Sequence, residues 1–211
     1  MNKMSIICAS LLIMAFFQSG CVHNVPPIDA TLQLKPLIEK VPTTTGIYYS
    51  NEFQSYECIK SLPLKPDLSF RIMLGAPSVD LFDQILSEMF EKSVLVSSLS
   101  LPSEAETDIK ATFEPKIADV FLYADLNITW IRADINYIIT LYDLKGVEIA
   151  NWSIKGSGSS VGYLKSINPS GMVREAAQIA MRNVAAQFML DFRKNPEAKK
   201  WLRSFGITAS K

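Results

Sequence analysis

INYIITLYDLKGVEIANWSIK, residues 135–155, carries the strongest indication of the fold. Ile135, Tyr137, Ile139 and Leu141 recur at every second place, Asp143-Leu144-Lys145-Gly146 has the composition of a tight turn, and Val147–Lys155 returns beyond it. Successive side chains of a strand point to opposite faces, so a period of two marks a strand buried on one side. A short Asp/Gly turn between two such runs makes them an antiparallel hairpin. Counted through the turn, Tyr142, Trp152 and Ile154 fall beside Thr140 on the face away from any covering helices. That face is a candidate binding face, although single exposed aromatics on a sheet are also ordinary surface.

Upstream, Ile109, Ala111 and Phe113 alternate with Lys110, Thr112 and Glu114, and Val120, Leu122, Ala124, Leu126, Ile128 and Trp130 again keep a period of two. These predict further antiparallel strands. Between Ser78 and Lys92 the period changes: Phe82, Ile85, Leu86, Met89 and Phe90 fall at helical spacing, with Ser78 and Asp80 where a cap and a negative charge belong. A short strand at Val94-Leu95-Val96 is expected after it. Earlier strand candidates are Thr31–Lys35, Ile47–Ile59 and Ser69–Leu74, the first at a sheet edge because Pro36 and Pro42 interrupt it.

Downstream, Gly156-Ser157-Gly158-Ser159-Ser160 reads as a flexible stretch. Asn168-Pro169 then supplies the cap and first-turn pair of a helix. Val173, Ala176, Ala177, Ala180, Val184, Ala185, Phe188, Met189 and Phe192 form its apolar stripe, and Asn195-Pro196 stops it near Lys194. An end piece with Trp201, Leu202 and Phe205 can pack back on the domain. Strands, helix, strands, helix predict an α+β fold, an antiparallel sheet covered on one face by two helices.

The amino terminus has another character. Lys3 precedes an apolar run from Ile6 to Phe17, 12 residues long and too short for a membrane span. A cleaved export signal fits that length. Ser19-Gly20 directly before Cys21 resembles the lipobox of bacterial lipoproteins. The place three before the cysteine, usually Leu, is Gln18 here. The resemblance implies cleavage between Gly20 and Cys21, acylation of the cysteine with palmitate-type chains, and attachment through lipid rather than peptide. Several chains are needed for stable anchoring, and such a cysteine carries two or three. Val22 stands where, by the same resemblance, an Asp would retain the protein at the inner membrane, which implies the outer membrane, facing the periplasm. Residues 1–20 are thus expected to be the signal peptide, 21–30 a lipidated extended tether carrying Pro26-Pro27, and 31–211 one periplasmic domain.

Composition narrows the chemistry. With 48% hydrophobic residues and 21 basic against 21 acidic side chains, the chain is neither disordered nor basic enough to suggest a nucleic-acid partner. The single histidine, His23, lies on the expected tether, which leaves no imidazole for a Ser-His-Asp or Cys-His arrangement. Of three cysteines, Cys8 belongs to the signal and Cys21 to the lipid, so Cys58 is unpaired and expected to be buried. No zinc cage, phosphate-binding loop or cofactor motif is present in the sequence, and no cofactor is expected. Glu104, Glu106 and Asp108 form an acidic loop, read as solvated, with a cation site or acid–base cluster as the alternative.

The order lipobox, extended strands, helix Leu81–Lys92, alternating strands, the turn Leu144–Ile149, Gly156-Ser157-Gly158 and an alanine-rich closing helix resembles the YajG-type and LptE-like outer-membrane lipoproteins over residues 68–205. The resemblance implies a non-enzymatic envelope protein, some relatives of which assist assembly or transport of surface components. The expected function is therefore a lipid-anchored binding or assembly accessory. Its partners would be the membrane through its lipid and an envelope protein or glycolipid. The rival reading is a periplasmic hydrolase of glycans using carboxylates alone.

Overall fold

The structure is a computed structural model that describes residues 22–32, 39–100, 108–162 and 168–206. The signal peptide, Cys21, most of the strand expected at Thr31–Lys35, and Glu104 and Glu106 lie outside the described residues. In chain order the elements are β1 (Val22–Asn24), β2 (Val41–Ile47), α1 (Asn51–Gln54), β3 (Glu57–Leu62), β4 (Lys65–Met73), α2 (Gly75–Met89), β5 (Phe90–Leu95), β6 (Ile109–Ala124), β7 (Trp130–Tyr142), β8 (Glu148–Val161), α3 (Pro169–Phe192) and α4 (Pro196–Arg203). They form a mixed α/β structure with two sheets, one of five strands in the order β5-β2-β6-β7-β8 and one of three in the order β1-β4-β3.

The hairpin of residues 135–155 is present. Asp143 Oδ1 accepts from the backbone N–H of Lys145 and of Val147, both at 2.8 Å. Gly146 takes φ +79°, a left-handed conformation that a glycine adopts without steric cost. β6, β7 and β8 run antiparallel. The expectation of a wholly antiparallel sheet is nonetheless incorrect, because β2 pairs in parallel with β5 on one side and β6 on the other. Alternation of apolar residues carries no information about strand direction. The connection does: α1, the β3–β4 hairpin and α2 lie between β2 and β5, which is a crossover of the kind a parallel pair needs.

The strand expected over 47–59 is broken by α1, capped by Ser50, whose Oγ accepts from Phe53 N–H at 3.1 Å. α2 starts three residues before its expected first position and yields directly to β5 at Phe90. β6 ends at Ala124, so Leu126 and Ile128 belong to the turn before β7 and not to a strand.

Residues 22–30, expected as a tether, are part of the body. β1 pairs in parallel with β4, Val22 opposite Ser69 and Asn24 opposite Arg71, and Val25 N–H donates to Arg71 C=O at 3.0 Å. Val25, Ile28 and Ala30 are buried. The apolar positions at 25, 28 and 30 could bury more surface against the domain than an extended chain in water allows, and Pro26-Pro27 is compatible with an extended, packed path.

The core lies between the inner face of the large sheet and the helices. Phe90, Phe113, Trp152, Phe188 and Phe192 form one aromatic cluster, with ring centroids 5.4–6.4 Å apart where they touch. α3 crosses β7 and β8 with Ala176, Ala177 and Ala180 turned down. The glycine stretch expected to be flexible is β8 itself. A Cβ on Gly156 would stand 2.0 Å from Ala180 O, and one on Gly158 2.1 Å from Ala176 O, so the helix backbone rests on the strand backbone. Trp201 and Leu202 of α4 are buried, as the amphipathic end piece required, while Phe205 stays exposed.

Candidate functional site

Two extra residues decide which side chains reach the open face of the large sheet. On β8, Tyr142 pairs with Glu148 but Leu141 pairs with Ala150, which leaves Ile149 without an opposite number. On β6, Ile117 pairs with Tyr137 and Asp119 with Asn136, so Ala118 is extra. Each bulge exchanges the faces of everything beyond it. Trp152 and Ile154 therefore pair with Ile139 and Tyr137 and point to the core, where they are buried; this corrects the expectation that they share an open face with Tyr142. The Trp152 indole N–H has no hydrogen-bond partner, which suits a packing position and not a recognition one. Tyr142 is on the outer face as expected, half-buried, its hydroxyl donating to Glu114 Oε2 at 3.1 Å.

The residues that take the outer face are others. Register aligns Phe121 with Asp134 and Ser157, Tyr123 with Arg132 and Ser159, and Trp130 with Val161. Phe121, Tyr123 and Trp130 are 41%, 38% and 39% exposed, and Val161 and Leu126 more so, an apolar patch on one end of the open face. Set into it is Asp134, only 1% exposed, which accepts from Arg132 Nε at 2.8 Å and pairs with Lys155 Nζ at 2.7 Å. The Arg132 guanidinium reaches Ser157 Oγ at 3.2 Å and lies 6.0 Å from the Tyr123 ring centroid. From the small sheet, Lys60 stands 5.9 Å from the Phe121 centroid and pairs with Asp119 at 3.5 Å. Burial alone would raise the Asp134 pKa and is the largest single influence. The hydrogen bonds from Lys155 and Arg132, with the Arg132 charge, outweigh it and hold the carboxyl below its usual range.

The turn that presents Trp130 is stiff. Asp125 accepts from Thr129 N–H at 2.6 Å, Thr129 Oγ1 at 2.8 Å and Trp130 N–H at 3.3 Å. Ile128 within it has φ +55°, a strained conformation for a β-branched residue that costs on the order of 1–2 kcal/mol and is offset by burying its side chain. The result is a surface of aromatic rings and cations whose positions are set before anything binds, suited to stacking and to anionic or hydrogen-bonding partners.

On the outer face the two buried carboxylates do not make an acid–base pair. The buried carboxylates of the outer face are Glu114, opposite Thr140, and Asp134, six places along β7 from Thr140. That is on the order of 20 Å, well beyond the separation of a glycosidase pair. Asp108 is exposed. Among the described residues no group of three or more His, Cys, Asp or Glu could hold a metal ion. His23 is exposed on β1, its ring 6.0 Å from Phe70. Cys58 is unpaired and half-buried against the core, and burial pushes its thiol up to about 11.

The patch is hidden from a reading of the sequence that assigns faces by strict alternation and allows no bulge. A signal is present all the same: the apolar positions sit at odd numbers through Phe113 and at even numbers from Val120, which requires one extra residue between them.

No protein-family model matches the sequence, and no curated protein matches it. Among solved structures, the chain is similar to protein XCC0632 from Xanthomonas campestris, of family DUF330, with 10% identity and a TM-score of 0.48, covering 80% of this chain and 92% of that one. A minor lipoprotein from Acinetobacter baumannii is similar at 9% identity and a TM-score of 0.43, covering 75% of this chain and 97% of its own.

Proposed function

We propose that the protein is a bacterial envelope lipoprotein, cleaved between Gly20 and Cys21 and acylated at Cys21, attached to the outer membrane and facing the periplasm. Its domain acts as a non-enzymatic binding or assembly accessory. The observation that carries the binding role is the preset patch of Phe121, Tyr123, Trp130 and Arg132 on the open sheet face, with Asp134 holding the cations in place. Exposed aromatic anchors beside an arginine are the residue types that dominate recognition surfaces. The partner is an envelope protein or a glycolipid, either of which offers apolar surface and anionic or hydroxyl groups. The Ser19-Gly20-Cys21 run at the end of a short apolar segment supports the anchor.

A photo-crosslinking amino acid placed at Tyr123 in living cells tests the role, with the exposed Glu197 on α4 as the control position. A discrete adduct from Tyr123 and none from Glu197 is the expected result. The same diffuse ladder from both positions would remove the assignment. Mass spectrometry of the amino-terminal peptide tests the anchor separately, the expected species beginning at Cys21 with acyl chains attached.

A further inference from the structure

Cys21 is covalently next to a strand residue. Val22 opens β1 and is in register with Ser69, so the residue that directly follows Cys21 in the chain is already locked into the small sheet. With Val25 N–H bonded to Arg71 and Val25, Ile28 and Ala30 buried, no spacer separates that point from the body. β1 is an outer strand of the order β1-β4-β3, and β3 is the strand that lies against β6 of the large sheet. β1 is thus the edge of the small sheet away from β6.

The same small sheet has one face packed and one bare. Phe70 and Ile72 point inward and are fully buried. The other face carries Val22, Ile59 and Met73, with Ser61, Ser69 and Arg71 among them, all placed there by register. Val22, Ile59 and Met73 are 45%, 51% and 50% exposed, and Leu64 at the β3–β4 tip is 55% exposed. β1 runs parallel to β4, so the tip before Lys65 projects on the order of 13 Å past Ser69, toward the side from which the chain enters β1.

We infer that this bare face and the β3–β4 tip seat on the lipid bilayer itself, with Leu64, Val22, Ile59 and Met73 entering the interfacial zone beside the acylated cysteine. The inference rests on the anchor reading above. An acyl chain places Cys21 at the bilayer surface, and a sheet joined to it without a spacer is brought there too. At the tip Lys65 and Asp67 have opposite charges, and Arg71 is paired with Glu57 at 3.1 Å, so the contact is apolar and indifferent to anionic lipid. Seating the small sheet leaves the patch on the large sheet free for its partner.

The test uses the full-length acylated protein, recovered from membranes and reconstituted in phosphatidylcholine vesicles with or without bromine on the acyl chains, and with or without phosphatidylglycerol. Leu64→Trp adds a reporter at the tip, Ile59→Trp another on the bare face, and Leu144→Trp one on the exposed β7–β8 turn. Bromine should quench the emission added by Leu64→Trp and Ile59→Trp at least roughly twofold and leave that of Leu144→Trp unchanged, equally in neutral and anionic vesicles, because quenching needs contact with the acyl region and not mere proximity to the surface. Equal quenching at all three positions, or none at Leu64 and Ile59 in protein whose terminal peptide carries acyl chains, would overturn the seating while the lipoprotein reading stands. A terminal peptide without acyl chains would overturn both.

Discussion

The two faces of the β7–β8 hairpin are built from the same alternating sequence and have opposite fates. The inner face is covered by α3 so closely that Gly156 and Gly158 have no room for a methyl group, and its aromatics are wholly enclosed. The outer face has no helix over it among the described residues, and it keeps the buried Asp134 carboxylate between the exposed cations of Arg132 and Lys155, beside three exposed rings. A face is therefore defined by register and not by composition. Trp152 and Trp130 are the same residue type, yet one bulge at Ile149 turns Trp152 into the core while Trp130 faces solvent.

The largest contrast between the faces comes from placing one charge at two adjacent positions. Trp152→Glu puts a carboxylate into the aromatic cluster and should cost about 4 kcal/mol or more, enough to abolish a cooperative melt in a protein of ordinary stability. Ser153→Glu, on the exposed face one residue later, should change stability by no more than about 0.5 kcal/mol. Thermal circular dichroism of the two variants compares them directly, and similar losses would mean the register is wrong. Next in size, Gly158→Val drives a branched side chain into the α3 backbone. The expected cost is about 3 kcal/mol, read as a fall in Tm of about 6–12 °C for a chain of this length.

On the outer face the effects are smaller and depend on pH. Asp134→Asn leaves Arg132 and Lys155 without their shared carboxylate and should cost about 1–2 kcal/mol at neutral pH, less than a fully buried pair because both cations are about half exposed. The sign follows from a folded-state pKa that is depressed. The carboxylate's contribution is complete above the unfolded value of about 3.9 and is lost as pH falls from there through the lower folded pKa. Denaturant melts of parent and Asp134→Asn should therefore differ at pH 7 and converge well below pH 4. The smallest effect is at Cys58, which lies on neither face of the hairpin. With its thiol raised to about 11, alkylation by iodoacetamide should be slow at pH 7 and accelerate steeply through pH 10, without unfolding.

How much of this is legible in the sequence varies by element. The hairpin is legible because Asp143 and Gly146 have few roles other than a turn. α3 is legible because Asn168-Pro169 and an alanine-rich stripe of apolar positions agree with each other. Pro115 lies in β6 just past the last residue paired with β2, at a place where no N–H is demanded. The β6 bulge leaves only the shift of apolar positions from odd to even numbers, while the parallel pairing of β2 and the packing of residues 22–30 leave no trace, since each depends on partners far away in the chain. The candidate site is missed for the same reason: strict alternation assigns Trp152 and Ile154 to the open face, which instead carries Phe121, Tyr123 and Trp130.

Turn chemistry, caps and apolar period act within a few residues, so the chain's own order of amino acids is enough to set roughly where most strands and helices lie. It is also enough to show that Cys21 follows a short export-like segment and that imidazole chemistry has a single residue to draw on. Strand direction, the division of the rings between surface and core, and the inclusion of the residues after Cys21 in the body became fixed only in the folded molecule. Those are properties of pairing between distant segments, and one unpaired residue in a ladder is enough to exchange the faces of all that follows it.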